Sequence, residues 1–118
     1  MSPLRAWWEE SEQDYIQRFY NQELGFKGPA PETCEPHIAE RIFQQHLDWP
    51  SILTIFPIQD ILAMSEKLRR EDPEAERINV PANPQHYWRY RLHLSLEDLI
   101  SEATFNSYVK KLISGAGR

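Results

Sequence analysis

The segment SILTIFP, residues 51–57, constrains this chain more than any other feature. It is apolar and β-branched, interrupted only by Ser51 and Thr54, a pattern that predicts a strand covered on both faces, as in a parallel sheet. Such a strand must pair its backbone donors and acceptors along both edges, and the rest of the sequence supplies no obvious partner. Either the segment is not a strand, or the chain is part of something larger.

The surroundings of that segment read as helix. Leu4, Trp7, Trp8, Tyr15, Phe19 and Tyr20 recur at helical spacing, with Glu9, Glu10, Glu12, Gln13 and Gln17 opposite them, which predicts one amphipathic helix over residues 3–23. A Gly- and Pro-rich loop follows, then a helix over 36–47 that Pro50 helps to stop. After the apolar segment, helical period returns through Ile58, Ile61, Leu62 and Leu68 until EDPEAE breaks it. Ser95 and Asp98 form a capping pattern for terminal helices over residues 95–114, and the tail SGAGR is expected to fray.

At 118 residues the chain has room for one modest core. Its 18 acidic against 13 basic residues leave a net charge of −5, which argues against nucleic acid or an anionic membrane as a partner. No apolar run approaches the roughly 18 to 20 residues of a membrane span, so a soluble chain is expected. One cysteine, Cys34, and no apolar leader make a reducing cytoplasm the expected compartment.

Few residues read as chemistry. Glu9, Glu10, Glu12 and Asp14 lie on the polar face of a predicted helix and read as solvated charges. His37, His46, His86 and His93 have no metal-ligand spacing among themselves or with Cys34, so no metal is expected, and no phosphate loop or other cofactor motif is present. Trp7 and Trp8, adjacent on a predicted helix, read as divided between core and helix packing, with sugar stacking the lesser reading. Gln59 and Asp60 fall just after the apolar segment, where α/β folds place ligand groups, although Asp60 could equally cap the next helix.

The stretch ERINVPANPQHYWRYR, residues 76–91, sets Tyr87, Trp88 and Tyr90 among His86, Arg89 and Arg91 in a segment that is neither helix nor strand. Such a loop could stack nucleobases, be fixed by cation–π contacts, or bind sugar, with the amides of Asn79 and Asn83 facing hydroxyls. The acidic balance favours the last two.

The runs WPSILTIFPIQDILAM and ERINVPANPQHYWRYRLHLSLEDLI closely resemble the carboxyl-terminal end of 4-alpha-glucanotransferases, the amylomaltases or disproportionating enzymes of glycoside hydrolase family 77. The likeness is strongest to the branch shared by plant cytosolic enzymes and certain bacterial homologues. SPLRAWWEE resembles the segment that follows that family's Thr/Ser-His-Asp motif, so the chain is expected to begin one step past the last catalytic residue.

The resemblance implies an α/β fold, the end of a (β/α)8 barrel, with residues 51–57 as the eighth strand, 71–94 as a sugar-site loop and 95–114 as terminal helices. The chain alone is then mainly α, with one short strand. It also implies retaining transfer of α-1,4-glucan between maltooligosaccharides, with nucleophile, acid/base and stabilising carboxylates that have no matching positions here. Asn79 matches a sugar-contacting asparagine, Gln59 and Asp60 a Gln-Asp near the catalytic face, and Trp88 and Arg91 residues that hold the loop, Trp88 also being a candidate glucan contact. An isolated chain is expected to be inactive, to lack the remainder of its barrel, and to oligomerise or repack. A non-catalytic helical module binding glucan or a protein is the alternative.

Overall fold

A computed structural model describes residues 3–118, which fold mainly as helices around one core, with no β-strand among them. Met1 and Ser2, where the resemblance puts the junction with the catalytic aspartate, lie outside the described residues.

The predicted 3–23 helix is three pieces. Helix α1 covers Leu4–Glu10, α2 covers Gln13–Arg18, and a π-helical turn follows over Phe19–Glu23. The break comes at Ser11, whose hydroxyl and backbone N–H both donate to the Trp7 carbonyl, at 2.6 and 3.2 Å, as its backbone turns extended. Serine competes with the helix ladder in this way. The π turn closes with Leu24 N–H donating to Phe19 O at 3.0 Å. Gly25, at φ +78°, then reverses the chain, as a left-handed residue past a helix end does.

Helix α3, Pro36–Asp48, follows its sequence pattern closely. Ile38, Ala39, Ile42, Phe43 and Leu47 are buried, and Pro36 occupies the first turn, where no amide donor is lost. Trp8 packs beside them at 1% exposure, its indole N–H donating to Pro31 O at 3.0 Å and pinning the loop. Cys34 lies in the same core, and burial pushes its thiol pKa up to about 12 despite the nearby charges of Arg5 and Arg69.

Residues 51–57 correct the strand expectation. Backbone groups of residues 52–56 make no hydrogen bonds among the described residues, and Ile52, Leu53 and Ile55 stand 104%, 72% and 80% exposed. Only the alternate positions Thr54 and Phe56 turn inward, with Phe56 4.3 Å from the Phe43 ring centre. One face is covered rather than two. The physical reason is the missing partner: apolar β-branched sequence favours a sheet, but without a neighbouring strand there is no ladder to form.

Helix α4 covers only Ile58–Leu62, after which turns carry the chain past Leu68 to a 3-10 turn at Pro73–Glu76, capped by the Asp72 carboxylate. Helices α5, Leu96–Ser101, and α6, Ala103–Gly115, close the fold. The Ser95 hydroxyl accepts from Asp98 N–H at 3.1 Å, as the capping pattern predicts. The tail does not fray as expected: Arg118 donates to the carbonyls of Leu47 at 2.9 Å and Ser51 at 2.7 Å, and also to Trp49 O. A C-terminal cation thus satisfies carbonyls where α3 ends.

Candidate functional site

The start of α4, the start of α1 and the loop after the 3-10 turn meet around a cleft of about 630 Å³. Gln59, Asp60, Asn79 and Trp88 all line it. Trp7, Phe43 and Phe56 supply an apolar floor, with His46 beside them. Residues separated by more than 80 positions therefore share one surface.

Each of the four is held differently. Gln59, 3% exposed, donates its amide to Glu76 O at 3.3 Å and so ties α4 to the base of the loop. Asp60 Oδ1 accepts from Leu4 N–H at 3.0 Å. It caps α1, 56 positions away, rather than its own helix. Burial pushes the Asp60 carboxyl above its ordinary range, while the Leu4 hydrogen bond and the nearby His46 pull it back down. The two effects oppose.

Asn79 is half-buried, and its side-chain amide makes no hydrogen bond among the described residues. Trp88 stands 74% exposed at the cleft edge, with no ring contact among the described residues. Its neighbours make the contacts that brace the loop among the described residues. Arg89 lies over the Tyr87 ring at 4.9 Å and Arg70 over Tyr90 at 5.6 Å, while His86 Nε2 meets Ile78 O at 3.0 Å. Arg91 takes part through its carbonyl, which accepts from Arg70. An Asn83 turn, in which Oδ1 accepts from Gln85 N–H at 2.9 Å, shapes the tip.

Trp7 and Trp8 divide between core and helix packing, as adjacent aromatics on a helix are expected to. Trp8 is buried, whereas Trp7 packs edge-on to Phe19 at 5.4 Å and lines the cleft. Adjacent helical positions are about 100° apart, so two tryptophans in a row cannot share one environment. That spacing was a readable signal.

Beneath the cleft lies a buried ion pair. Arg5 Nη1 donates to Glu76 Oε1 at 2.9 Å, with side-chain exposures of 6% and 3%, and Arg5 also donates to Arg70 O at 2.5 Å and Glu71 O at 3.5 Å. Burial raises the Glu76 pKa, and Arg5 offsets part of that rise. At the rim, Arg77 pairs with Glu74 at 2.7 Å and with Glu10, giving Glu10 a partner on the otherwise solvated face. Among the described residues no group of three or more His, Cys, Asp or Glu side chains could hold a metal ion, and no helix is long and apolar enough to cross a membrane.

Comparison with known proteins gives one family. The family model described as 4-alpha-glucanotransferase matches residues 1–96. The chain is 42% identical over 117 residues to the 4-alpha-glucanotransferase DPE2 of Oryza sativa subsp. japonica, covering 99% of this chain and 12% of that protein. It is 35% identical over 112 residues to the 4-alpha-glucanotransferase of Chlamydia trachomatis serovar D, and 32% identical over 112 residues to that of Chlamydia muridarum. Both comparisons cover 94% of this chain and 20% of the relative, so the chain spans a fifth or less of the length of these proteins. No solved structure matches it. Matched by the family model from residue 1 to 96 and by relatives along nearly its whole length, the chain belongs to the 4-alpha-glucanotransferase family, glycoside hydrolase family 77.

Proposed function

We propose that this chain supplies one wall of an α-glucan site in a 4-alpha-glucanotransferase that transfers α-1,4-glucan segments between maltooligosaccharides or to a glycan. The observation that carries the reading is the convergence of Gln59, Asp60, Asn79 and Trp88 on one cleft of about 630 Å³. An uncommitted amide at Asn79 can donate to one hydroxyl and accept from another, and the faces of Trp88 and Trp7 offer flat apolar surface to sugar C–H groups. Gln59 and Asp60 act by holding the cleft as well as by lining it.

Retaining transfer needs a nucleophilic carboxylate to form the glycosyl-enzyme and an acid/base that first protonates the leaving glucan and then activates the acceptor hydroxyl. By resemblance those groups have no counterpart in this chain, so turnover requires the remainder of a (β/α)8 barrel, which would also pair residues 51–57 as a strand. The exposed Ile52, Leu53 and Ile55 support that reading, since they form the kind of apolar surface that marks a contact face. Cytoplasmic location and the absence of any cofactor belong to the same proposal.

Titrating the chain with maltoheptaose, and separately incubating it with maltotriose, tests both halves. Binding weakened at least tenfold by Asn79→Ala, with no glucose or longer oligomer formed, is the expected result. No binding would overturn the site. Disproportionation by the chain alone would overturn its dependence on carboxylates from elsewhere.

A further inference from the structure

We infer that Arg5 is a positioning residue that sets the two walls of the cleft against each other, an inference that rests on the glucan-site reading for its consequence on binding. One wall carries Leu4 and Trp7 on α1, and the other carries Asn79 on the loop that leaves the 3-10 turn at Glu76. The two are joined by the Arg5 guanidinium, which reaches the carbonyls of Arg70 and Glu71 and the carboxylate of Glu76, so that both ends of the 71–76 segment hang on one side chain. Glu76 is gripped a second time, through its own carbonyl, by Gln59. Asn79 lies three residues further along.

The placement of charge is unlike that of a surface ion pair. Arg5 and Glu76 are 5% and 2% exposed, and Arg5 Nε and Glu76 Oε2 find no partner among the described residues. A buried pair is weak support for stability, because desolvation offsets most of its attraction, whereas its directional bonds specify one arrangement over others. Arginine suits the task through its planar fork, which serves several acceptors at once where a lysine ammonium is a single point. Leu4, the neighbour of Arg5, gives its N–H to Asp60, so two consecutive residues of α1 orient both Asp60 and the loop.

The test uses the whole chain with the double substitution Arg5→Met and Glu76→Met, and with Arg5→Lys alone. Replacing both members of a buried pair by apolar residues usually preserves the fold. The measurements are the thermal midpoint, the ¹⁵N order parameters of residues 77–91 against those of α3, and the dissociation constant for maltoheptaose. For the double variant we expect a midpoint close to that of the parent, loop order falling below about 0.6 while α3 stays near about 0.85, and binding at least tenfold weaker. Arg5→Lys should fall between. Unchanged loop order, or equal loosening of loop and α3, overturns the positioning role. If the parent chain itself fails to bind maltoheptaose while the variant's loop still loosens, the glucan reading falls and the positioning role stands. Should the double variant not fold, Arg5→Lys with parental loop order overturns it.

Discussion

The Asp60 carboxylate receives the backbone N–H of Leu4 at 3.0 Å, so the first turn of α1 is capped by a residue 56 positions later. The cap and the cleft wall are the same side chain. Asp60→Asn keeps an acceptor oxygen and removes the buried charge, whereas Asp60→Ala leaves the N–H without its partner. We expect Ala to cost about 1 kcal/mol, as lost helix caps do, and Asn to cost less than Ala at pH 7. Urea unfolding of the two variants measures both; an Asn variant less stable than the Ala variant would contradict the assignment.

Asp60 and Glu76 are both raised above the ordinary carboxylate range, chiefly by burial. A carboxyl with a higher pKa in the folded state holds its proton more tightly when folded. Its contribution therefore favours the folded chain in acid and is lost as pH rises from about 4 through the raised values. The stability of the parent relative to Asp60→Asn should fall as pH rises above about 4. A difference between the two that does not vary with pH would show that Asp60 titrates normally.

Cys34 is predicted to be inert in the folded chain. With its pKa pushed up to about 12 by burial, its thiolate fraction at pH 8 falls by roughly a thousandfold relative to an ordinary thiol. Alkylation by iodoacetamide should be slow natively and rapid in 8 M urea. Comparable rates in both conditions would place the thiol at the surface.

Arg118 ties the end of the chain to the end of α3 through three carbonyls. Arg118→Ala should destabilise the chain by about 1 kcal/mol, since the site is solvated and water replaces part of what is lost. Circular dichroism in urea gives the midpoint, and a variant matching the parent would reduce the contact to a surface coincidence.

Ile52, Leu53 and Ile55 leave an apolar strip in solvent. Self-association that grows with concentration, together with strong binding of an apolar-sensing dye, is the expected behaviour of the chain alone. Ile52→Lys with Ile55→Lys should shift the mass measured by light scattering toward the monomer. A parent chain that stays monomeric without binding dye would remove the strip from consideration as a contact face.

Local pattern carried a large part of the fold. Ile38, Ala39, Ile42 and Phe43 announced α3 because a helix buries every third or fourth residue whatever it packs against, whereas His46, expected on the same side, is exposed and Leu47 is buried instead. Ser95 and Asp98 announced the start of α5 because a cap is made within one turn. Gln59, Asp60, Asn79 and Trp88 were singled out through resemblance, and nothing local in the sequence showed that they line one cleft.

By itself the sequence determined the helical faces, the caps, the family and the loop that carries Asn79 and Trp88. Only the tertiary structure decided that residues 51–57 form no strand, that Asp60 caps α1, that Arg5 holds Glu76 from 71 positions away, and that Arg118 is anchored. The division has one cause. Helical period and capping are satisfied within a few residues and leave a local trace, whereas a sheet ladder, a buried ion pair and a distant cap depend on which segments are brought alongside, and that is fixed only when the chain packs.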